Sequence, residues 1–213
     1  MRAHPASLNG IIRLRAIDRG TPPLRRPNAV RRPREYLTPA EVQALIAAAR
    51  DHARTRRYGH RDATLILLAY RHGLRVSELV GLHWAHVDFK SGSLLVQRVK
   101  GGRALMHPLN GSELRALRQL KRDWPNDAYL FLSHRGGPLT TATVRKMVAR
   151  AGERASLPFP VHPHMLRHAC GYKLVNDGRD TRSIQDYLGH VNIRHTQRYT
   201  VLSTQRFRDF FGD

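Results

Sequence analysis

The sequence predicts a mainly α-helical domain with a small antiparallel β-sheet, an α+β fold in which helices dominate. Apolar residues recur at helical spacing through most of residues 36–213, whereas residues 88–109 change to short runs typical of paired strands. The chain has 213 residues, of which 41% are hydrophobic, so it can bury a core and charge-driven disorder is excluded. We therefore expect one ordered domain over residues 36–213.

Residues 1–35 have a different character and predict a basic, irregular N-terminal arm. They contain nine arginines and five prolines against two acidic residues, without helical periodicity. Arginine-rich irregular segments commonly bind the DNA backbone, but a solvated tail or a linker has the same composition. The sequence leaves both interpretations of the arm open.

Three helices are predicted at the start of the ordered domain. The first begins at Thr38, because an N-cap Thr and Glu41 three residues later satisfy each other's free backbone amides. The second spans about residues 60–72 and stops at Gly73, a residue suited to the left-handed turn after a helix. Helical spacing then resumes over residues 75–82.

A β-hairpin is predicted next. The runs 93–99 and 103–109 flank a Lys-Gly-Gly turn at residues 100–102, which is a hairpin signal. After the hairpin we expect a short apolar strand or extended piece at 129–132 and five helices, near 111–123, 141–152, 163–177, 181–188 and 193–199.

The net charge restricts the class of partner. The chain has 37 Lys and Arg against 16 Asp and Glu, a formal charge of +21, so nucleic acid and anionic membrane surfaces are the leading partners. The single cysteine, Cys170, excludes an internal disulfide and a multi-cysteine zinc finger and is typical of a reducing, intracellular compartment. The most apolar stretch, 65–70, is too short to span a membrane, and no signal-peptide core is evident.

Several kinds of active site are excluded by missing motifs. The sequence has no P-loop, no dinucleotide-binding glycine fingerprint and no paired-carboxylate arrangement, which removes most nucleotide-driven and two-metal nuclease functions. What remains is a set of cations and imidazoles around one tyrosine.

The C-terminal third contains most of this set. His164 and Arg167 stand three residues apart on a predicted helix, so they share a face and can address one phosphate together. His190 follows a Leu-Gly helix end, and Tyr199 comes nine residues later.

The N-terminal half contributes three further residues. Arg75 and Glu78 share a second helical face, and Lys100 lies at the hairpin turn, from which it can reach into a groove.

Taken together, these elements resemble the tyrosine recombinase family, the phage-integrase type, over roughly residues 36–211. The Arg with Glu three residues later, the hairpin Lys, the His-x-x-Arg, the Leu-Gly-His and the Tyr occur in the family's order and spacing. The runs 162–171 and 184–196 also look like those of the small fimbrial phase-variation recombinases. Those proteins invert a promoter-bearing DNA segment and lack a separate N-terminal core-binding domain, so we expect none here.

The resemblance and the chemistry of the side chains give each residue an expected role. Arg75 and Arg167 would bind the non-bridging oxygens of one phosphate and stabilise the transition state. Tyr199 would be the nucleophile that forms a 3′-phosphotyrosyl link, with neither metal nor ATP nor another cofactor required. Lys100 would protonate the leaving 5′-oxygen, although Arg98 or Arg103 of the same hairpin are alternatives.

Three supporting roles complete the expectation. His164 would exchange protons with the Tyr199 hydroxyl or hydrogen-bond the phosphate, and His190 would donate to a non-bridging oxygen. Glu78 would orient His164 or an arginine. His168 and Cys170 are predicted to be packed structural residues. A metal site built from the histidines at 162, 164 and 168 is a weaker alternative, because a cationic pocket repels a divalent ion.

The resemblance also implies the partners. We expect double-stranded DNA, a homotetramer on paired sites with a monomer or dimer when free, accessory DNA-bending proteins, no membrane, and a cytoplasmic location at the bacterial nucleoid. The apolar residues of 201–211 either close the chain's own core or dock into a neighbouring protomer. A DNA-binding regulator without strand exchange and a type IB topoisomerase remain alternatives, and integration or excision remain alternatives to inversion.

Overall fold

The computed structural model describes residues 34–51, 55–99 and 103–201. These residues form a mainly α-helical structure with one small antiparallel sheet, which confirms the predicted fold class. The helices are α1 (Pro39–Asp51), α2 (Arg56–Arg71), α3 (Val76–Val80), α4 (Gly111–Asp123), α5 (Thr141–Arg154), α6 (Pro163–Asn176), α7 (Thr181–Leu188) and α8 (Arg194–Val201). The strands are β1 (Val87–Asp88), β2 (Ser93–Val96) and β3 (Leu105–Pro108), in the order β1-β2-β3.

The ends of the first two helices follow the sequence signals. The Thr38 backbone amide donates to Glu41 Oε2 at 2.7 Å, and the Glu41 amide donates to Thr38 Oγ1 at 3.3 Å, which is the predicted capping pattern. Helix α2 starts about one turn earlier than predicted and ends before Gly73, whose φ of 57° lies in the left-handed region. A Cβ at that glycine would also collide with the Leu188 side chain, so α7 approaches this turn closely.

The hairpin forms with shorter strands than predicted. Strands β2 and β3 pair in antiparallel register, with Leu94 opposite His107 and Val96 opposite Leu105. The sequence did not indicate β1, which is only two residues long and pairs Val87 with Leu94. Residues 129–132 form no strand: Tyr129 and Leu132 make isolated bridges to His83 and Pro138, with a bend at residues 130 and 131 between them.

Two apolar clusters hold the helices together. The larger one is built mainly from α1, α2, the sheet, α4 and α5, and it includes the first half of α6. The smaller one joins the second half of α6 to α7 and α8, through Cys170, Ile184, Leu188 and Tyr199. Helix α6 therefore belongs to both clusters and fixes the C-terminal helices against the rest of the domain.

Some predictions fall outside the described residues. These are residues 1–33 of the arm, the hairpin turn with Lys100, and the apolar C-terminal segment beyond residue 201. Of the arm, Arg34 forms an ion pair with Glu41 in the first turn of α1. None of the helices in the described part of the chain is both long and apolar enough to cross a membrane.

Candidate active site

A cleft of about 320 Å³ lies where α6, α7, α8 and the N-terminus of α3 meet. Its lining combines arginines, histidines, a tyrosine and two residues of the loop after α7: Arg75, His164, Arg167, His168, His190, Val191, Asn192, His195 and Tyr199. Every predicted site residue that the structure describes lies in this cleft, except Glu78, which lies directly behind Arg75. Lys100 lies outside the described residues.

Arg75 is the N-cap of α3 and is held by Glu78, three residues into the same helix. Glu78 accepts from the Arg75 backbone amide at 2.9 Å and from its guanidinium Nη1 at 2.7 Å. The carboxylate is almost fully buried, whereas 27% of the Arg75 side chain is exposed toward the cleft. Burial by itself would raise the pKa of Glu78, but the Arg75 amide and the charges of Arg98 and Arg75 outweigh it and lower the pKa.

Arg98 pairs with the second oxygen of the same carboxylate. Its Nη1 lies 2.9 Å from Glu78 Oε2, and its side chain is completely buried. Its other terminal nitrogen donates to the carbonyl oxygens of His72, at 3.2 Å, and of Tyr187. Glu78 therefore orients two arginines, which is one of the roles expected for it.

Arg167, on the second turn of α6, is held without a carboxylate partner among the described residues. Its Nη1 donates to the Gly73 carbonyl at 2.5 Å and its Nη2 to the Leu188 carbonyl at 2.7 Å. Burial, together with the nearby charges of Arg75 and Arg98, lowers the pKa of Arg167 to about 10, so it remains charged at neutral pH. We call Arg75, Glu78, Arg98 and Arg167 the arginine cluster.

The histidines and the tyrosine form a second group. His164, in the first turn of α6, is exposed, and its ring meets the His168 ring edge-on at 4.4 Å. His190 follows Gly189, the left-handed C-cap of α7, and its Nδ1 lies 2.8 Å from the hydroxyl of the buried Thr196. Burial and the charges of the nearby arginines lower the pKa of His190 to about 3, so it is neutral at pH 7.

Tyr199 is buried at the inner end of the cleft, with 1% of its surface exposed. Its hydroxyl lies 2.9 Å from His168 Nδ1, and its ring packs edge-on against Tyr172 at 5.0 Å. The ring lies directly on Gly171 of α6, where an added Cβ would be only 2.5 Å from Tyr199 Cε2. We call His164, His168, His190 and Tyr199 the tyrosine cluster.

The structure corrects the interpretation of His168 as a packed structural residue alone. It is buried, as predicted, but it also hydrogen-bonds the hydroxyl of the candidate nucleophile. Its position directly after Arg167, and one helical turn after His164, was the available signal. Cys170 is buried, and burial raises the pKa of its thiol to about 12, which leaves it inert.

The sequence analysis did not predict the positions that two further residues occupy at the site. Arg98 was considered only as a substitute for Lys100 near the phosphate, whereas its guanidinium is buried behind Glu78. Thr196, which contacts His190, was not singled out. Among the described residues, no group of three or more His, Cys, Asp or Glu side chains is arranged to hold a metal ion.

Comparison with known proteins identifies the family. Residues 35–206 match the model of the phage integrase family. The type 1 fimbriae regulatory protein FimE of Escherichia coli K12 is 46% identical over 181 residues, covering 82% of this chain and 89% of the relative, and FimB of the same strain is 39% identical over 179 residues, covering 82% and 88%. The crystal structure of XerA recombinase superposes with a TM-score of 0.71 at 28% identity, covering 82% of this chain and 63% of that one.

The match extends over most of the chain and includes all the described residues of the cleft. The fold, the order of the motifs and the identity to FimE agree with one another. This chain is a member of the phage integrase family, the tyrosine-type site-specific DNA recombinases.

Proposed function

We propose that this protein cleaves and rejoins double-stranded DNA through a 3′-phosphotyrosyl intermediate on Tyr199, and that it inverts a promoter-bearing DNA segment. The observation that carries the proposal is the convergence of Arg75, Arg167, His190 and Tyr199 on one cleft, although they come from four separate segments of the chain. The identity to FimE supports the choice of inversion over integration or excision.

The two arginines of the cleft bind the scissile phosphate. A guanidinium has five N–H donors, and Arg167 uses two of its nitrogens to hold the carbonyls of Gly73 and Leu188. Its remaining N–H groups, with those of Arg75, donate to the non-bridging oxygens. Because both cations are in place before the reaction starts, they stabilise the extra negative charge of the pentacovalent transition state without reorganisation.

Tyr199 is the nucleophile. Its oxygen attacks phosphorus, the bond from phosphorus to the 5′-oxygen breaks, and the 3′-phosphate becomes linked to the tyrosine. The 2.9 Å contact to His168 Nδ1 makes this imidazole the group in place to accept the phenol proton, while His164, which is exposed, contacts the phosphate. Rejoining is the reverse attack by a 5′-hydroxyl, so no external energy source is consumed.

The leaving 5′-oxygen receives a proton from Lys100, the residue at the hairpin turn. His190 is neutral at pH 7, so it acts as a hydrogen-bond donor to a non-bridging oxygen rather than as a third cation. This assignment gives protonation and phosphate binding to different residues.

The larger assembly follows from the same proposal. Strand exchange between two sites requires four copies of the active site, and we propose a homotetramer on paired DNA sites, formed from monomers or dimers, with accessory DNA-bending proteins. The arm of residues 1–35 would contact the DNA backbone, residues 36–213 would form the catalytic domain, and the protein would act in the cytoplasm at the bacterial nucleoid.

A covalent capture experiment on a randomised DNA pool tests the proposal whatever the target sequence is. Purified protein is incubated with duplex DNA that is randomised over about three helical turns and carries one nick in the random region. Cleavage near the nick releases a short fragment and traps the protein on DNA as an SDS-resistant band, whose DNA is then sequenced. The expected result is a band with enriched inverted sequence motifs that disappears in Tyr199→Phe. Salt-sensitive binding of the pool without any covalent band would contradict the proposal and favour a regulator without strand exchange.

A further inference from the structure

Arg98 is a buried cation that the reaction described above does not use. Its side chain is completely buried, and it holds groups from four different segments of the chain. These groups are the Glu78 carboxylate of α3, the His72 carbonyl after α2, the Tyr187 carbonyl near the end of α7, and the His107 ring of β3. A charge is costly to bury, so this arrangement needs a reason beyond filling space.

The first connection leads to Arg75. Arg98 and Arg75 share one carboxylate, with Arg98 on Oε2 at 2.9 Å and Arg75 on Oε1 at 2.7 Å. The backbone amide of Val99 also donates to Oε1, at 3.3 Å. Two independent contacts from the hairpin thus fix the rotamer of Glu78, and Glu78 in turn fixes Arg75.

The second connection leads to His190. The stem of Arg98 lies against Gly189, so closely that a Cβ there would be 2.7 Å from Arg98 Cγ and 3.0 Å from Arg98 Nε. Gly189 immediately precedes His190 and has a φ of 62°. The turn that presents His190 to the cleft therefore rests on the Arg98 side chain.

The third connection follows the chain itself. Arg98 lies two residues after the end of β2 at Val96 and two residues before Lys100. The same side chain therefore anchors the first side of the hairpin, after β2, to α3 and to the end of α7.

We infer that Arg98 is a positioning residue for strand cleavage: it sets Arg75 through Glu78 and supports the turn that carries His190. This inference rests on the proposed function, since it assigns a task within that reaction. Arg98 acts through other residues and contacts no reacting atom, so DNA affinity is expected to depend on it far less than the rate of cleavage does.

The test compares variants of the full-length protein on one DNA. The substrate is the nicked duplex of highest yield recovered with the wild-type protein, and single-turnover formation of the covalent adduct gives the rate. Arg98→Met removes the charge and keeps the aliphatic part of the side chain, whereas Arg98→Lys keeps the charge and loses the branched donors. The control is Lys173→Met, which removes an exposed lysine near the C-terminal end of α6 that pairs with Asp177. Near-UV circular dichroism and the melting temperature establish that each variant is folded at the assay temperature.

The expected results separate positioning from general destabilisation. Arg98→Met is expected to lower the cleavage rate by about tenfold or more, while its dissociation constant for DNA stays within about threefold of the wild-type value. Arg98→Lys should recover part of the rate, and the control should change the rate by less than about twofold. If Arg98 acts through Arg75, the two losses are not additive. In an Arg75→Lys background, the further loss caused by Arg98→Met is clearly smaller than in the wild-type protein, because only the route through the His190 turn remains.

Two outcomes would overturn the inference. One is a folded Arg98→Met protein that cleaves at the wild-type rate, and the other is a full, independent loss in the Arg75→Lys background. Either result leaves the Tyr199-dependent adduct of the wild-type protein intact, so it is distinguishable from failure of the proposed function, in which the wild-type protein itself forms no adduct.

Discussion

The arginine cluster and the tyrosine cluster face the same cleft but are held in different ways. The guanidiniums of the arginine cluster are fixed by a shared carboxylate and by main-chain carbonyl oxygens, with contacts to Glu78, Gly73 and Leu188. The tyrosine cluster is held mainly by ring packing, and the Tyr199 hydroxyl is directed to His168. The arginine cluster is held by ionic and multidentate contacts, and the tyrosine cluster by aromatic contacts and hydrogen bonds.

Under the proposed mechanism, this difference corresponds to a division of labour in the reaction. The arginine cluster is preorganised to stabilise charge, because its donors are already oriented before DNA arrives. The tyrosine hydroxyl is buried and hydrogen-bonded to His168, and in the proposed reaction it has to reach the phosphate for attack. Variants of the arginine cluster are therefore expected to alter charge stabilisation, whereas variants of the tyrosine cluster alter the delivery of the nucleophile.

The largest effect is expected from Arg167→Ala, which removes one of the two cations proposed to bind the scissile phosphate. We predict that single-turnover cleavage falls about 10³-fold, because one preorganised donor at a developing charge contributes about 10²–10³ and Arg167 supplies more than one donor. Measured on a substrate whose scissile phosphate is a neutral methylphosphonate, the defect should shrink markedly. An equal defect on both substrates would mean that Arg167 supports the fold and not the charge.

The next effect concerns Lys100, whose proposed task is distinct from those of both clusters. Lys100→Ala should slow cleavage about 10²–10⁴-fold on ordinary DNA, the range typical of a general acid. A 5′-bridging phosphorothiolate at the scissile position has a leaving thiolate that needs no proton, so it should restore most of the rate. Arg103→Ala is the matched variant on the exposed side of the hairpin. If the phosphorothiolate substrate restored the rate of Arg103→Ala and not that of Lys100→Ala, the general acid would be Arg103.

A smaller effect should separate the two clusters. His168→Phe keeps a ring against Tyr199 but removes the nitrogen 2.9 Å from its hydroxyl. We expect cleavage to slow by about tenfold to a hundredfold, with the affinity for DNA unchanged in a salt titration. If the affinity falls and the cleavage rate of bound DNA does not, His168 belongs functionally to phosphate binding.

The smallest effect concerns the pH dependence of stability and comes from His107, which contacts Arg98 of the arginine cluster. His107 is buried in contact with Arg98 and His72. Burial, and to a smaller extent the charges of His72 and Arg98, lowers the pKa of His107 to about 3. The His107 side chain binds a proton below about pH 6.5 in the unfolded chain but only near pH 3 in the folded chain. As the pH is lowered from about 6.5 toward 3, the free energy of unfolding should therefore decrease, by up to about 1.4 kcal/mol per pH unit.

Urea unfolding between pH 6.5 and 4.5 checks this prediction. In His107→Gln the stability should depend less steeply on pH than in the wild-type protein or in the exposed-site variant His134→Gln. An unchanged slope in His107→Gln would show that this histidine is not held neutral in the folded state.

Local sequence signals predicted much of the fold. The Thr38 and Glu41 cap, the break at Gly73 and the hairpin all depend on residues within a few positions of one another, so periodicity and turn chemistry suffice to indicate them. Strand β1 was missed because two residues carry no periodicity and its pairing depends on β2.

The site was predictable where a motif marks it and not where the tertiary structure creates it. Arg75, Arg167, His190 and Tyr199 carry the family's spacing, and they meet in the cleft. The roles of His168 and Arg98 depend on contacts between distant segments, such as the bond from His168 to Tyr199. No local pattern distinguishes a buried, bridging arginine from the many exposed arginines of a chain with a net charge of +21.

The central claim is that the Tyr199 oxygen becomes bonded to DNA, and the adduct itself tests it most directly. The covalent complex trapped on the nicked duplex pool is digested with protease and nuclease, and the peptide that carries the nucleotide remnant is sequenced by tandem mass spectrometry. We predict a remnant on Tyr199 through a phosphodiester to a 3′-carbon. A remnant on another residue, such as the neighbouring Tyr172 or Tyr187, or a link through a 5′-phosphate, would contradict it.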